Sequence, residues 1–444
     1  MEDATGSGEH SPDSSGPADG TTTPLASSNH KPNSRLPRRL GPLLLTLYGV
    51  GVMVGAGIYV LVGTVAGNAG ILAPLAFLAA GLVAAPTAMS YAELSVRMPE
   101  SSGEATYVRA AFNATWPSVV VGLTIVFVGT TSAAAVLRGG VGYLQSLIDL
   151  PTEVLIVAVA VVLLLIALWG VLESLALAGV ITILEVVGLV LVIQAGWVST
   201  PTDAWKAGWP AFDAIPWAGL GLSMVLAFFA FIGFEDIVNL AEEVKRPHRT
   251  LPIAILGSLI IAAVLYGGVS IAALRAVDPQ LLSDSEQPLS LVYERSGRNG
   301  EVLSAIAAVA ALNGVLAQLV MASRMLFGLG RRARPLAVFT HVHPRFGTPV
   351  LATVTIGVAV VAAALTLNVG ALAETTSTVL LVVFMIVNVA LIVLKRRDAR
   401  QLHADPTLTA NSDPVAAPQF SVPTVVPWLG FVGSAAAFAV AVVA

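Results

Sequence analysis

From about residue 42 onward the chain alternates long apolar runs with short polar stretches. A helix needs about 20 largely apolar residues to cross a bilayer. Runs of that kind predict eleven spanning segments: 42–66, 71–96, 116–147, 153–170, 174–197, 216–239, 252–274, 301–329, 349–368, 371–394 and 425–444. Segments three and eight are long enough to need tilt or an extension beyond the hydrocarbon. Two segments carry interruptions. The first contains Gly49-Val50-Gly51-Val52-Met53-Val54-Gly55-Ala56-Gly57-Ile58-Tyr59, and the sixth contains Phe229-Ala230-Phe231-Ile232-Gly233-Phe234-Glu235-Asp236. Glycine weakens a helix, and non-helical backbone at membrane depth must sit within protein or line a cavity.

Composition fixes the class. The chain is 56% hydrophobic and 11% charged, with a mean hydropathy of +0.83, whereas soluble domains average about 25% charged residues. The expectation is an all-α integral membrane protein surrounded by lipid. A net charge of −4 gives no basis for nucleic-acid binding. The absence of cysteine excludes disulfides and thiolate chemistry. The sequence holds no phosphate-binding Gly-xxxx-Gly-Lys-Ser/Thr loop, no ligand spacing among its six histidines and no hydrolase constellation. Neither an enzyme nor a metal or other cofactor is expected. Residues 1–40 read as a disordered cytoplasmic tail: Met1 to Asn33 is polar and rich in Ser, Thr, Gly and Pro, and cannot offset its ordering entropy by burial. It lacks the basic start and apolar run of a signal peptide.

Charge orients the spans. With the tail inside, the cytoplasmic stretches hold seventeen of the 23 lysines and arginines. The opposite face holds five: Arg138, Lys206, Arg275, Arg295 and Arg298. Arg324 lies late in segment eight and reads as an interfacial anchor that snorkels. The positive-inside rule then places the N-terminus in the cytoplasm. Five spans separate segments one and six, so the two interrupted helices enter from opposite faces. That arrangement predicts two inverted five-helix repeats, 41–197 and 198–395, meeting near the midplane, then a cytoplasmic loop 396–424 and an eleventh helix 425–444. Paired interruptions in corresponding positions point to a transporter's binding site.

A broken helix exposes amide groups on one side and carbonyls on the other. The new N-terminus carries roughly half a positive charge and suits a carboxylate, while the carbonyl end suits an ammonium group. A zwitterionic amino acid presents both partners. Gly55, Ala56 and Gly57 would let a ligand approach the backbone; for Gly51 and Gly55, close helix packing is the competing reading. Glu235 and Asp236 lie inside segment six, where charge is expensive. Glu235 is a protonatable gate element or a structural carboxylate holding the break, and Asp236 either joins it or faces water in the inner vestibule. Glu185 sits mid-span in Ile181-Thr182-Ile183-Leu184-Glu185-Val186-Val187, as a proton carrier or as an interhelical hydrogen-bond donor. Glu242, Glu243, Lys245, Arg246 and Arg249 follow at the cytoplasmic exit, as gate ion pairs or as a solvated helix end.

These residues resemble the amino acid–polyamine–organocation transporters from about Leu40 to about Lys395. The glycine run of segment one is similar to that family's first-helix signature. Ser90-Tyr91-Ala92-Glu93-Leu94 with Pro99, Gly103 and Tyr107, then Phe229 to Pro252, then Ala322-Ser323-Arg324 with Gly347-Thr348-Pro349, resemble its later motifs in the same order. The resemblance implies a LeuT-type 5+5 inverted-repeat fold with discontinuous first and sixth helices. It also implies secondary active transport of amino acids, often with protons, across the cytoplasmic membrane. On that likeness the amides of Ala56 and Gly57 bind the substrate carboxylate. The carbonyls of Met53, Phe229 and Ile232 bind its amino group, with Gly55 and Ile58 in the same site. Phe229 is the aromatic gate, and Glu235 matches the family's sixth-helix glutamate; Glu235 and, from its own mid-span position, Glu185 are the proton-coupling candidates. Two departures qualify the likeness: Glu185 stands where many relatives carry a lysine, and Gly330-Arg331-Arg332-Ala333-Arg334-Pro335 replaces the usual Ala-Arg-Asp-Gly. The expectation is proton-coupled uptake of neutral amino acids. The alternatives are a cationic amino acid or polyamine transporter, an exchanger, or a non-transporting amino acid receptor.

Overall fold

The computed structural model describes residue 38 and residues 40–100, 103–169, 175–343, 348–404 and 420–443. The tail, apart from residues 38 and 40, lies outside the described residues, as do Arg345, Gly347 and residues 405–419 of the loop. The helices follow the predicted segments closely. They are α1 (Pro42–Ala56), α2 (Ile58–Ala69), α3 (Ala73–Arg97), α4 (Gly103–Phe112), α5 (Thr115–Leu144), α6 (Thr152–Trp169), α7 (Leu175–Val198) and the short α8 (Asp203–Ala207). Then come α9 (Trp217–Phe229), α10 (Pro247–Ala276), the short α11 (Pro279–Asp284) and α12 (Pro288–Arg295), α13 (Gly300–Gly330), α14 (Val350–Thr366), α15 (Val369–Ala404) and α16 (Val425–Val443). Eight helical stretches among the described residues are long and apolar enough to cross a membrane, and shorter apolar helices at Pro42–Gly55, Trp217–Phe229 and Val350–Thr366 complete the eleven segments. The chain is an all-α, multi-pass membrane protein.

Both expected interruptions are present, and they differ in extent. Segment one departs from helix only at Gly57 (φ −136°, ψ −60°). Gly49, Gly51 and Gly55 remain in regular helix because packing needs them. A Cβ on Gly49 would lie 2.6 Å from Ile237 Cδ1, one on Gly51 would meet Thr182, and one on Gly55 would lie 2.8 Å from the Ala310 carbonyl oxygen. Segment six breaks over a longer stretch. After Phe229 the chain makes tight turns, with Ala230, Phe231 and Ile232 each donating to the carbonyl three residues earlier. It resumes as a 3-10 helix, Glu235–Glu243. Gly233 makes the change of direction at φ +128°, a conformation that L side chains rarely adopt.

Small residues bring the helices together. Along α5, Gly122, Gly129 and Gly140 face Leu329, Ala322 and Ala311 of α13, the close approach that drives helix association where lipid is as apolar as leucine. Polar side chains bond across helices: Ser90 donates to Asn388 at 2.7 Å, and Asn388 donates to Thr87 at 2.9 Å. Glu93, fully buried, accepts from Arg97 and Lys395 at 2.6 and 2.8 Å and from the Val422 amide at 2.7 Å. That cluster ties α3, α15 and the lead-in to α16 together. Before α1, Leu40 pairs with the far end of the sixth segment, its amide donating to Glu243 and its carbonyl accepting from Lys245.

Candidate functional site at the two helix breaks

The two interruptions touch. A Cβ added to Gly57 would collide with Ala230 Cα and lie 2.5 Å from Ala230 Cβ. A Cβ on Gly233 would lie 2.7 Å from Val52 Cγ1 and 3.2 Å from the Met53 amide nitrogen. Met53, Gly57, Ile58, Phe229 and Ile232 therefore converge, and all are buried. Gly55 faces the other way, onto Ala310 and Gly314 of α13. The backbone of Ala56 closes α1 directly before the break.

Helix polarity gives the breaks their charge. The N-terminus of α2 lies at Gly57, whose carbonyl accepts from Val60 and Leu61 at 3.2 and 2.9 Å. The amides of Ile58 and Tyr59 begin that helix without an earlier turn to bond to. The C-terminus of α9 ends beside it at Phe229. A partly positive helix end and a partly negative one thus adjoin, as a zwitterion requires. Tyr266 holds the second break in place, donating to the Ala230 carbonyl at 2.8 Å, with its ring 5.1 Å from that of Phe231.

Glu235 and Asp236 follow the second break, both buried. Glu235 accepts from the Gly233 amide at 3.0 Å and so braces the turn. Asp236 accepts from Gln318 of α13 at 3.0 Å; it is 6% exposed, which places it in the packed interior and not in an open vestibule. Both carboxyls line a cavity of about 10 Å³ with Ile232, between Gly129 of α5 and Met321 of α13, room for about one water. Arg324 is exposed at its helix surface.

Glu185 is fully buried on α7. Its Oε1 accepts from Asn313 at 3.1 Å, while Oε2 has no hydrogen-bond partner among the described residues. Its backbone carbonyl accepts from the Tyr59 hydroxyl at 2.7 Å, and the Tyr59 carbonyl accepts from Tyr143 at 2.6 Å. Glu185 is therefore wired to the first turn after the Gly57 break. Sequence reasoning missed Asn313, Gln318 and Tyr266. The amide side chains were findable, since Asn and Gln within an apolar 31-residue helix must bond to something.

Comparison with known proteins agrees with this architecture. The family described as "Amino acid permease" matches residues 40–444. The chain is 29% identical to a methylthioribose transporter and 28% identical to the branched-chain amino acid permease BcaP, both of Bacillus subtilis, each over 82% of both chains. It is 31% identical to the vacuolar cationic amino acid transporter 4 of Arabidopsis thaliana, over 81% of this chain and 64% of that one. With its whole helical body matched, the chain belongs to the amino acid permease family of the amino acid–polyamine–organocation superfamily.

Proposed function

We propose that the protein is a secondary active transporter that carries amino acids across the cytoplasmic membrane by alternating access, with its N-terminus in the cytoplasm. One observation carries the reading: the two helix breaks meet at Gly57 and Ala230. The substrate carboxylate sits at the start of α2, and its amino group at the Phe229–Ile232 end of α9. Phe229, fully buried between them, is the gate. Residues 41–197 and 198–395 act as inverted repeats that rock around this point. Coupling runs through protons held by Glu185 and Glu235. In support, one Glu185 carboxyl oxygen has no hydrogen-bond partner among the described residues, and the Glu185 backbone carbonyl accepts from Tyr59, two residues past the first break.

Neutral amino acids are the first reading of the substrate, in line with the name of BcaP. A second reading, a cationic amino acid or polyamine, is favoured by one feature: the cavity beside Ile232 is lined by two carboxyls. Uptake by the purified protein in liposomes separates the possibilities, using a panel of labelled amino acids with and without an inward proton gradient. Gradient-stimulated accumulation of one class supports proton-coupled transport and names the class. Flux only against internal amino acid makes it an exchanger. Binding without flux makes it a receptor, and neither binding nor flux for any amino acid overturns the proposal.

A further inference from the structure

Five buried polar atoms without hydrogen-bond partners among the described residues gather where α4 meets the inner half of the sixth segment. They are Glu104 Oε2, the hydroxyls of Tyr91 and Tyr107, and both polar atoms of the Asn239 side chain. Contacts place them together. Gly103, next to Glu104, packs on the 3-10 helix so closely that a Cβ there would lie 2.8 Å from Val238 and 3.3 Å from Asn239 Oδ1. The rings of Tyr91 and Tyr107 lie 6.3 Å apart, edge to face. Glu104 is 1% exposed and lies within electrostatic reach of Tyr91, Tyr107, Glu235 and Asp236. Buried polar groups left unsatisfied are costly, and a gathering of them calls for an explanation.

Its chemistry narrows the ligand. Orphan donors stand beside orphan acceptors, which water and a proton can match together but a bare cation cannot. Among the described residues no group of three carboxylates or histidines could hold a metal ion. Nor does an ion pair reach Glu104 there: Arg97 and Lys395 are engaged by Glu93 and Asp398, and Arg397 of α15 reaches α4 at its far end, on the Ala110 carbonyl. From α5 the contact is neutral, Ser118 donating to the Ala105 carbonyl. Glu100, in the lead-in to α4, adds another acidic group near Tyr107. Glu104, Glu235 and Asp236 are thus three buried carboxyls with no salt bridge to a basic residue among the described residues, while Glu100 is exposed and has Arg332 nearby, itself next to Arg109.

We propose that Glu104 is a proton-binding site of the inner gate, and that α4 seals against the 3-10 helix only while Glu104 carries a proton. The proposal rests on the transport reading for its purpose but not for its test. When Glu104 gives its proton to cytoplasmic water, a charge appears in the buried neighbourhood of Glu235 and Asp236, and hydration of the orphan groups offsets it only if α4 moves away. Burial pushes the Glu104 carboxyl from the ordinary 4.5 up to about 7. The closed state is therefore fully favoured at low pH. It loses about tenfold per pH unit between the open-state value and about 7, and nothing more above that.

The chain has no cysteine, so Val238→Cys, on a residue fully buried beneath Gly103, is a clean reporter. In full-length protein in lipid nanodiscs, maleimide labelling of this thiol is compared with and without Glu104→Gln. The ratio at each pH cancels the thiol's own ionisation. The expected ratio, native Glu104 over E104Q, rises about tenfold per unit from about pH 5 to about pH 7 and then levels off. Glu104→Asp, which keeps a carboxyl, retains the rise. A ratio independent of pH, or a flat E104D, overturns the proposal. No amino acid is present, so a failure of the transport reading shows up only in the uptake panel.

Discussion

Replacing Gly57 by alanine tests whether the meeting of the two breaks is the working site. The backbone at Gly57 has a negative φ of −136°, and what the substitution adds is volume. The new methyl would lie 2.5 Å from Ala230 Cβ and 3.1 Å from the Ala230 nitrogen, whereas carbon atoms rest at about 3.5–4.0 Å. The obstacle is largely backbone, so no side chain can swing aside, and the breaks must separate by about 1 Å. Overpacking of this kind costs about 1–3 kcal/mol, which a multi-helix protein survives. A misplacement of about 1 Å at a reacting or binding centre costs about a hundredfold. The expected outcome is an inserted, folded G57A protein whose substrate affinity and initial uptake rate fall by about that factor. Gly267→Ala, on a helix face with nothing within 4 Å, is the control and leaves both unchanged. Scintillation-proximity binding and liposome uptake on matched protein amounts measure the two quantities. If G57A binds and transports like the native chain, the site does not lie at the junction.

Three other substitutions probe the groups around that junction. Tyr266→Phe removes the 2.8 Å bond to the Ala230 carbonyl; at about 1 kcal/mol for a neutral hydrogen bond, substrate affinity falls about fivefold in the same binding assay, and an unchanged affinity separates Tyr266 from the site. Glu185→Gln keeps shape while removing the titratable group, so downhill exchange persists and accumulation driven by a pH gradient is lost; full accumulation would make Glu185 structural. Glu93→Ala leaves Arg97 and Lys395 without their buried partner, costing about 3–5 kcal/mol. A thermal melt of the purified protein should show that loss while the affinity of whatever enters the site stays within about twofold.

The spans were legible because lipid imposes one rule on every residue that faces it: eleven apolar runs of the necessary length became eleven helical segments, the first and sixth divided. The junction was legible only in part. Gly51, Gly55 and Gly57 look alike in the sequence, yet the structure gives each a different neighbour: Thr182, the Ala310 carbonyl and Ala230. A glycine announces that something comes close, but what comes close depends on contacts between residues far apart in the chain. Asp236 and Gln318 show the same limit, since each is costly alone in lipid and tolerable only as a pair. Glu104 was invisible for a related reason. It follows a polar loop, where a glutamate needs no explanation, and only the packing of α4 against α5, α15 and the 3-10 helix turns it into a buried acid. The same tertiary contact that hid Glu104 from the sequence gives it a pH-dependent role, because an exposed glutamate has nothing to gain from a proton near neutrality.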